Sequence, residues 1–271
     1  MSVSTQEAVG RVLAKFSQHG LADNDLGRRE VRCVAPPVEG GSIAGALVLA
    51  HGGGNVGSTV VLAPESLRLE GGRLQIHSGG KNNVVVLDGG ASSRTPHIVL
   101  NLFADEAVVY LNLDEMRPVP RRPLGLQVTF YNGPGQFFHW GAGSSSVQTV
   151  AVLDGPGRSV VIGEDCMLSN DVYLRTHDGH AIVDLNSREI LNPGGCVRLR
   201  NRVWLAQDVL CLGPLDIGAG SIVGAKSLAK GDVGPSTLVG GVPARVLRDN
   251  VGWSRVPGTL QFLDLERARE S

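Results

Sequence analysis

The sequence predicts an all-β protein wound as a parallel β-helix of hexapeptide type. Three observations carry that class: a six-residue beat in the C-terminal half, abundant glycine with few aromatics, and one polar interruption of the beat. Leu199, Leu205, Cys211, Ile217, Val223 and Ala229 recur every six residues, and four positions after each stand Val203, Val209, Leu215, Ser221, Ser227 and Val233. Six residues at about 100° each carry a helical side chain well off its starting face, so a helix cannot hold that beat. A chain with three short flat sides per turn can hold it. One hexad makes one side, three hexads make one coil, and stacked coils align equivalent side chains in ladders. Thirty-seven glycines in 271 residues, with 4% aromatic content, suit tight corners and narrow aliphatic-filled coils.

Taken in order, residues 1–30 form an N-terminal helical segment. Over residues 5–19, Val9, Val12, Leu13 and Phe16 share one face, and Gly20 stops the helix. Residues 31–155 are β-rich but irregular, with short apolar or alternating runs (ALVLAH, NNVVVLDG, HIVLNLF) between Gly, Pro and Asn clusters. They read as degenerate coils of the same solenoid in preference to a β-rich side domain, with residues 115–122 as an exposed connection. Residues 156–250 hold the regular repeat, whose beat starts at Ile162, Leu168 and Leu174 with Cys166 and Val172 in the second slot. From 176 to 196 the beat disappears into a polar stretch with two His, which reads as a loop extruded from one rung. Solenoids tolerate such insertions, and they commonly build the binding face. Residues 251–271 are a tail in which Leu260, Phe262, Leu263 and Leu265 suggest a short packed helix.

A formal net charge of −1 gives no electrostatic footprint for nucleic acid or an anionic membrane. The first twenty residues lack an apolar signal core, and no window approaches the roughly 18 apolar residues of a membrane span, so a cytoplasmic protein is expected. Cys33, Cys166, Cys196 and Cys211 form no metal or redox pair. Cys166 and Cys211 fall on ladder positions that want small apolar residues, and no disulfide framework is expected.

Four ordered motifs then become specific: VVIGEDCMLSNDVYLRTHDGHAI, VWLAQDV, SIVGAKSLAKGDV and GGVPARVLR. Together they resemble the hexapeptide-repeat acyltransferases, and within them most nearly the sugar and capsular-polysaccharide O-acetyltransferases. The resemblance covers about 90 residues, roughly 160–250, and says little about residues 1–155. It implies a left-handed β-helix, a homotrimer, acetyl-CoA as donor and a hydroxyl of a sugar or polysaccharide unit as acceptor. The left hand goes against the usual crossover and comes from the family alone.

An alcohol is a poor nucleophile until its proton is taken, and imidazole suits that task at neutral pH. The family's catalytic His lies in a D-x-H-x-I setting, which residues 178–182 match, so the resemblance implies His180 as general base. Asp178 would orient that imidazole or position the acceptor, with His177 a nearby rival base. Asp184 and Asn192 are candidate acceptor contacts. Trp204, twenty-four residues after His180, resembles the family's VWIG element. Its main-chain N–H is the expected donor to the oxyanion formed when the thioester is attacked, and its indole could wall the pocket. Ala206 replaces the family's usual Gly. By the same resemblance, Ala206, Ala225 and Ser227 would line the pantetheine arm, and Lys230, Arg245 and Arg248 would meet the phosphates of coenzyme A. No metal is expected.

Two other classes remain open. A zinc enzyme of the left-handed-helix carbonic anhydrase type would need three converging His, and the chain has seven, but their spacing does not follow successive ladder corners. A non-catalytic scaffold would have no need of the His180–Trp204 pairing. HGGGN at 51–55 lacks the G-x-S-x-G elbow of a hydrolase, and GAGSIVGA lacks a dinucleotide-site setting.

Overall fold

The structure is a computed structural model that describes residues 4–21, 31–34, 42–43, 46–51, 59–64, 67–69, 71–89, 96–114, 124–256 and 258. The connection at 115–122 and the apolar tail residues 260–265 lie outside these. The chain winds as a left-handed parallel β-helix. One side is a ladder in which Val60–Pro64, Val84–Asp88, Val108–Asn112, Phe137–Trp140, Ser159–Ile162, Val197–Leu199 and Leu215–Ile217 pair in succession. Among the named strands, antiparallel pairing is confined to the two ends, where Val31–Val34, Ser42–Ile43 and Ala244–Arg248 join the sheets.

In the C-terminal half the hexads become three sides. Ile162, Leu199 and Ile217 stack on the first, Leu168, Leu205 and Val223 on the second, and Leu174, Cys211 and Ala229 on the third. All nine side chains are buried in one continuous core. The second-slot residues Val203, Val209, Ser221 and Ser227 are buried too. Non-glycine residues turn the corners in the left-handed backbone region, among them Asp165, Arg202, Asp208 and Lys226 at φ 52°, 58°, 59° and 58°.

The N-terminal half uses the same first side but merges the other two. Val60, Val84 and Val108 pair in succession, 24 residues apart. The opposite side is a single long strand in each coil, such as Pro96–Leu102 or Leu124–Tyr131. The change of shape occurs in Ser145–Asp154. Its beginning pairs with Met167–Leu168 and its end with Val172–Arg175, and the register against the previous coil shifts between Ser146 and Thr149. Their hydroxyls meet at 2.7 Å and satisfy each other at that bend.

The helix Thr5–His19 begins where the Ser4 side chain accepts the Glu7 N–H and ends at Gly20 in the left-handed conformation. Ala8, Val12 and Phe16 bury against the outer face of the first side, with Phe16 edge-on to Tyr110 at 4.8 Å. A buried aromatic side chain of this kind contributes about 1.5–3 kcal/mol through area alone. The helix therefore closes an apolar outer face that the solenoid would otherwise expose. Among the described residues no helix is long and apolar enough to cross a membrane.

Candidate functional site

The polar stretch at 176–196 is an arm standing off the corner between the third and first sides. It closes as a narrow hairpin. Val183 bridges Ile190, the Leu191 N–H donates to the Ile182 carbonyl at 2.8 Å, and the Arg188 N–H donates to the Asp184 carbonyl. At the tip, Asp184 Oδ1 accepts the N–H groups of Ser187 and Asn186 at 2.9 and 2.8 Å. Those bonds hold its carboxyl below the usual carboxylate range. At the base, the Gly195 N–H donates to the Thr176 carbonyl. Gly194 has φ 70°, and a Cβ there would sit 2.6 Å from the Thr176 oxygen, so glycine is required.

Asn192 braces the segment that carries His180. Its Nδ2 donates to the Asp178 carboxylate and, at 2.8 Å, to the His180 carbonyl, while its Oδ1 accepts the Ile182 N–H at 2.6 Å. His177 Nδ1 accepts the Gly179 N–H at 2.9 Å, which leaves Nε2 to carry any proton, 4.0 Å from Asp178. The His180 side chain is exposed, and its imidazole has no hydrogen bond among the described residues. In geometry, then, Asp178 faces Asn192 and His177 in place of His180, and Asp184 Oδ1 and the Asn192 amide are bonded within the arm itself.

Trp204 opens the second-side strand one coil further on. Its main-chain N–H donates to the Ser221 carbonyl at 2.9 Å as part of the ladder. That N–H, the expected oxyanion donor, is thus already hydrogen-bonded within the ladder. The indole Nε1–H, by contrast, is buried with no partner among the described residues. A buried unpaired donor costs about 1–3 kcal/mol and calls for an acceptor.

Ala206, Ala225 and Gly240–Gly241 follow one another at the corner between the second and third sides, since the Ala206 N–H bonds Val223 and the Gly224 N–H bonds Val239. Arg245 pairs opposite Gly240 on the exit strand, and Arg248 opposite Leu238. Both Arg side chains are exposed. Ser227 departs from expectation: it is 2% exposed, and its Oγ accepts the Gly241 N–H at 3.0 Å. Lys230 follows the third-side strand Leu228–Ala229 and so stands at a different corner from Ala206 and Ala225.

Two residues escaped the sequence reading. Arg175 ends the strand beneath the arm, its Nη2 lies 3.6 Å from where a Cβ on Gly179 would stand, and its Nε is buried without a partner among the described residues. Its place just before T-H-D-G-H was the available signal. Trp253, 6% exposed, covers the indole of Trp204, and no periodicity pointed to it. Cys166 and Cys211 are buried with thiols pushed up to about 12 by desolvation. Among the described residues no cluster of three or more His, Cys, Asp or Glu is arranged to hold a metal.

Together the winding and the arm define a hexapeptide-repeat β-helix with one extruded arm. No protein-family model matches the chain. It is 34% identical over 97 residues to the polysialic acid O-acetyltransferase of Escherichia coli O1:K1, which is 36% of this chain and 32% of that protein. It is 29% identical over 93 residues to the galactoside O-acetyltransferase of Escherichia coli K12, 34% of this chain and 44% of that protein. The chain thus spans less than half the length of these curated relatives. The crystal structure of the polySia-specific acetyltransferase NeuO matches with a TM-score of 0.59 at 23% identity, over 82% of this chain and 89% of that one, and so shares the fold. The resemblance to hexapeptide-repeat O-acetyltransferases read from the motifs is borne out by these relatives.

Proposed function

We propose that the protein is an acetyl-CoA-dependent O-acetyltransferase acting on a hydroxyl of a sugar or polysaccharide unit. The observation that carries the reading is His180: an imidazole with neither nitrogen bonded among the described residues, on an arm whose backbone Asn192 fixes at that residue. Relatives bearing sugar and polysaccharide O-acetyltransferase names support the reaction class. In the reaction, His180 takes the hydroxyl proton as the oxygen bonds to the thioester carbonyl carbon. The carbon–sulfur bond then breaks, and the imidazolium returns the proton to the leaving thiolate. A placed general base of this kind is worth roughly 10²–10⁴-fold.

The indole of Trp204 walls the pocket in this reading, its Nε1–H buried with no partner among the described residues. The small-residue corner at Ala206 and Ala225 lines the pantetheine arm, with Arg245 and Arg248 for the phosphates. Asp178 and Asn192 act as positioning residues for His180. Transfer is direct in this reading, the acceptor oxygen attacking the thioester with no acyl-enzyme formed.

The assembly is a homotrimer in this reading. The arm holds Ile182, Val183, Leu185, Ile190 and Leu191 exposed, Leu185 at 91%, and a second copy would cover them. The test is thiol release from acetyl-CoA in the presence of hydroxylated sugars, for the wild type and for His180→Ala. Acceptor-dependent release that the variant loses supports the reading, and equal rates overturn it.

A further inference from the structure

A cavity lies where the C-terminal end of the helix Thr5–His19 meets the first side of the solenoid. It has a volume of about 240 Å³, and its walls include His19, His139, Glu164, Arg198, Arg200 and Asn201. Six polar residues around one small hollow is an unusual use of a seam that elsewhere packs Phe16, Tyr110 and Phe137.

The walls are built. His139 is 4% exposed, stacked on Tyr110 at 5.3 Å with the rings 10° apart, and edge-on to Phe16 at 5.5 Å. Its Nδ1–H donates to the Ile162 carbonyl at 2.9 Å, so Nε2 is left as an acceptor with no partner among the described residues. His19 stacks on Phe137. Burial holds both imidazoles down to about 4, so both are neutral at pH 7. Arg198 gives one N–H to the His19 carbonyl, which fixes the guanidinium, and its remaining donors have no partner among the described residues. Arg200 is already paired with Asp216 at 2.9 and 2.7 Å, which leaves Arg198 as the cation of these walls without a carboxylate partner among the described residues. Asn201 Oδ1 accepts the Glu164 N–H, so its amide nitrogen keeps its donors.

We propose that this cavity binds a hydroxylated carboxylate of monosaccharide size, the chemistry of a sugar acid. The carboxylate pairs with Arg198, one hydroxyl donates to His139 Nε2, and others meet Asn201 and Glu164. An uncharged sugar would leave Arg198 unmatched, and a bare carboxylate would leave His139 without a donor. Arg198 stands on Val197–Leu199, two residues past the end of the arm, so the cavity adjoins the chain segment that returns from the arm.

The probe is glucuronate, titrated calorimetrically into the full chain, with glucose and acetate as controls and a glucuronate-containing oligosaccharide to separate a chain unit from a free acid. Three proteins are compared: wild type, Arg198→Gln and His180→Ala. The expected result is saturable glucuronate binding that is weakened at least tenfold in Arg198→Gln, as loss of a charged hydrogen bond implies. The variant should keep its melting temperature, and His180→Ala should bind as the wild type does. Tighter binding of the oligosaccharide marks a glycan unit as the natural occupant, and equal binding marks the free acid. Absence of glucuronate binding overturns the proposal, as does unchanged binding in Arg198→Gln. Loss of binding in His180→Ala also overturns it, since that would place the ligand at the arm.

Discussion

The indoles of Trp204 and Trp253 lie against each other, their centroids 6.1 Å apart and their planes inclined at 51°. The contact exists because the segment 251–256 straps back over the solenoid. Trp253 Nε1–H donates to the Arg202 carbonyl at 2.7 Å, and Arg202 Nη2 donates to the Trp253 carbonyl at 3.1 Å. Arg202 and Arg255 both lie over the Trp253 ring, and Asp165 bonds both, at 2.6 and 3.0 Å. The strap therefore fixes the surroundings of the indole that walls the pocket in the proposed reading.

Asp165 is the keystone of that strap, 7% exposed between two guanidinium groups. Replacing it with Ala leaves buried positive charge uncompensated, which costs about 3–5 kcal/mol. Urea unfolding of Asp165→Ala should show a loss of that order. A loss below about 1 kcal/mol, the range of exposed pairs, would mean the strap is not fixed this way.

Asn192 predicts a separation of rate from stability. Its three bonds serve an exposed arm, so Asn192→Ala should leave the melting temperature nearly unchanged while the turnover rate falls about tenfold, the worth of about one hydrogen bond. Unchanged turnover would remove Asn192 from the positioning of His180.

His139 gives a stability–pH relationship with a definite sign. Its folded value of about 4 lies below the ordinary 6.5, so between those values the unfolded chain binds more protons. Stability from this group is full above about pH 6.5 and is lost as pH falls toward 4, by about 3 kcal/mol. His139→Phe retains a ring against Tyr110 and cannot titrate. Its stability should fall less than that of the wild type between pH 7 and 4, and parallel losses in the two proteins would contradict the assignment.

The buried thiols make a simpler claim. Mass mapping after native alkylation should find Cys196, which is exposed, modified, and Cys166 and Cys211 intact until the protein is unfolded. Rapid native labelling of either buried thiol would show that the coils open.

The hexads were legible because each of Leu199, Leu205 and Cys211 has one side to itself, so the beat of six maps directly onto geometry. The N-terminal coils hid from the same search. Their long strands merge two sides, and the repeat there is the 24-residue spacing of Val60, Val84 and Val108, which no six-residue window detects. The motif around His180 located the arm, but the use of each polar atom was not in the pattern. Asn192 and Asp184 have the chemistry of acceptor contacts, and only the hairpin geometry shows that they hold the arm. The partner of the Trp204 main-chain N–H was hidden for a similar reason, since a ladder bond is visible only once Ser221 is placed beside it. The strap depends on contacts between residues far apart in sequence, such as Arg255 with Ser145, and these leave no local trace.

The central claim, a donor site for acetyl-CoA on this chain, is tested most directly by calorimetric titration of acetyl-CoA into the purified protein. No acceptor needs to be known. The account predicts saturable binding near one site per chain, weakened in Arg245→Ala. Absence of binding would contradict it and would leave the solenoid as a scaffold.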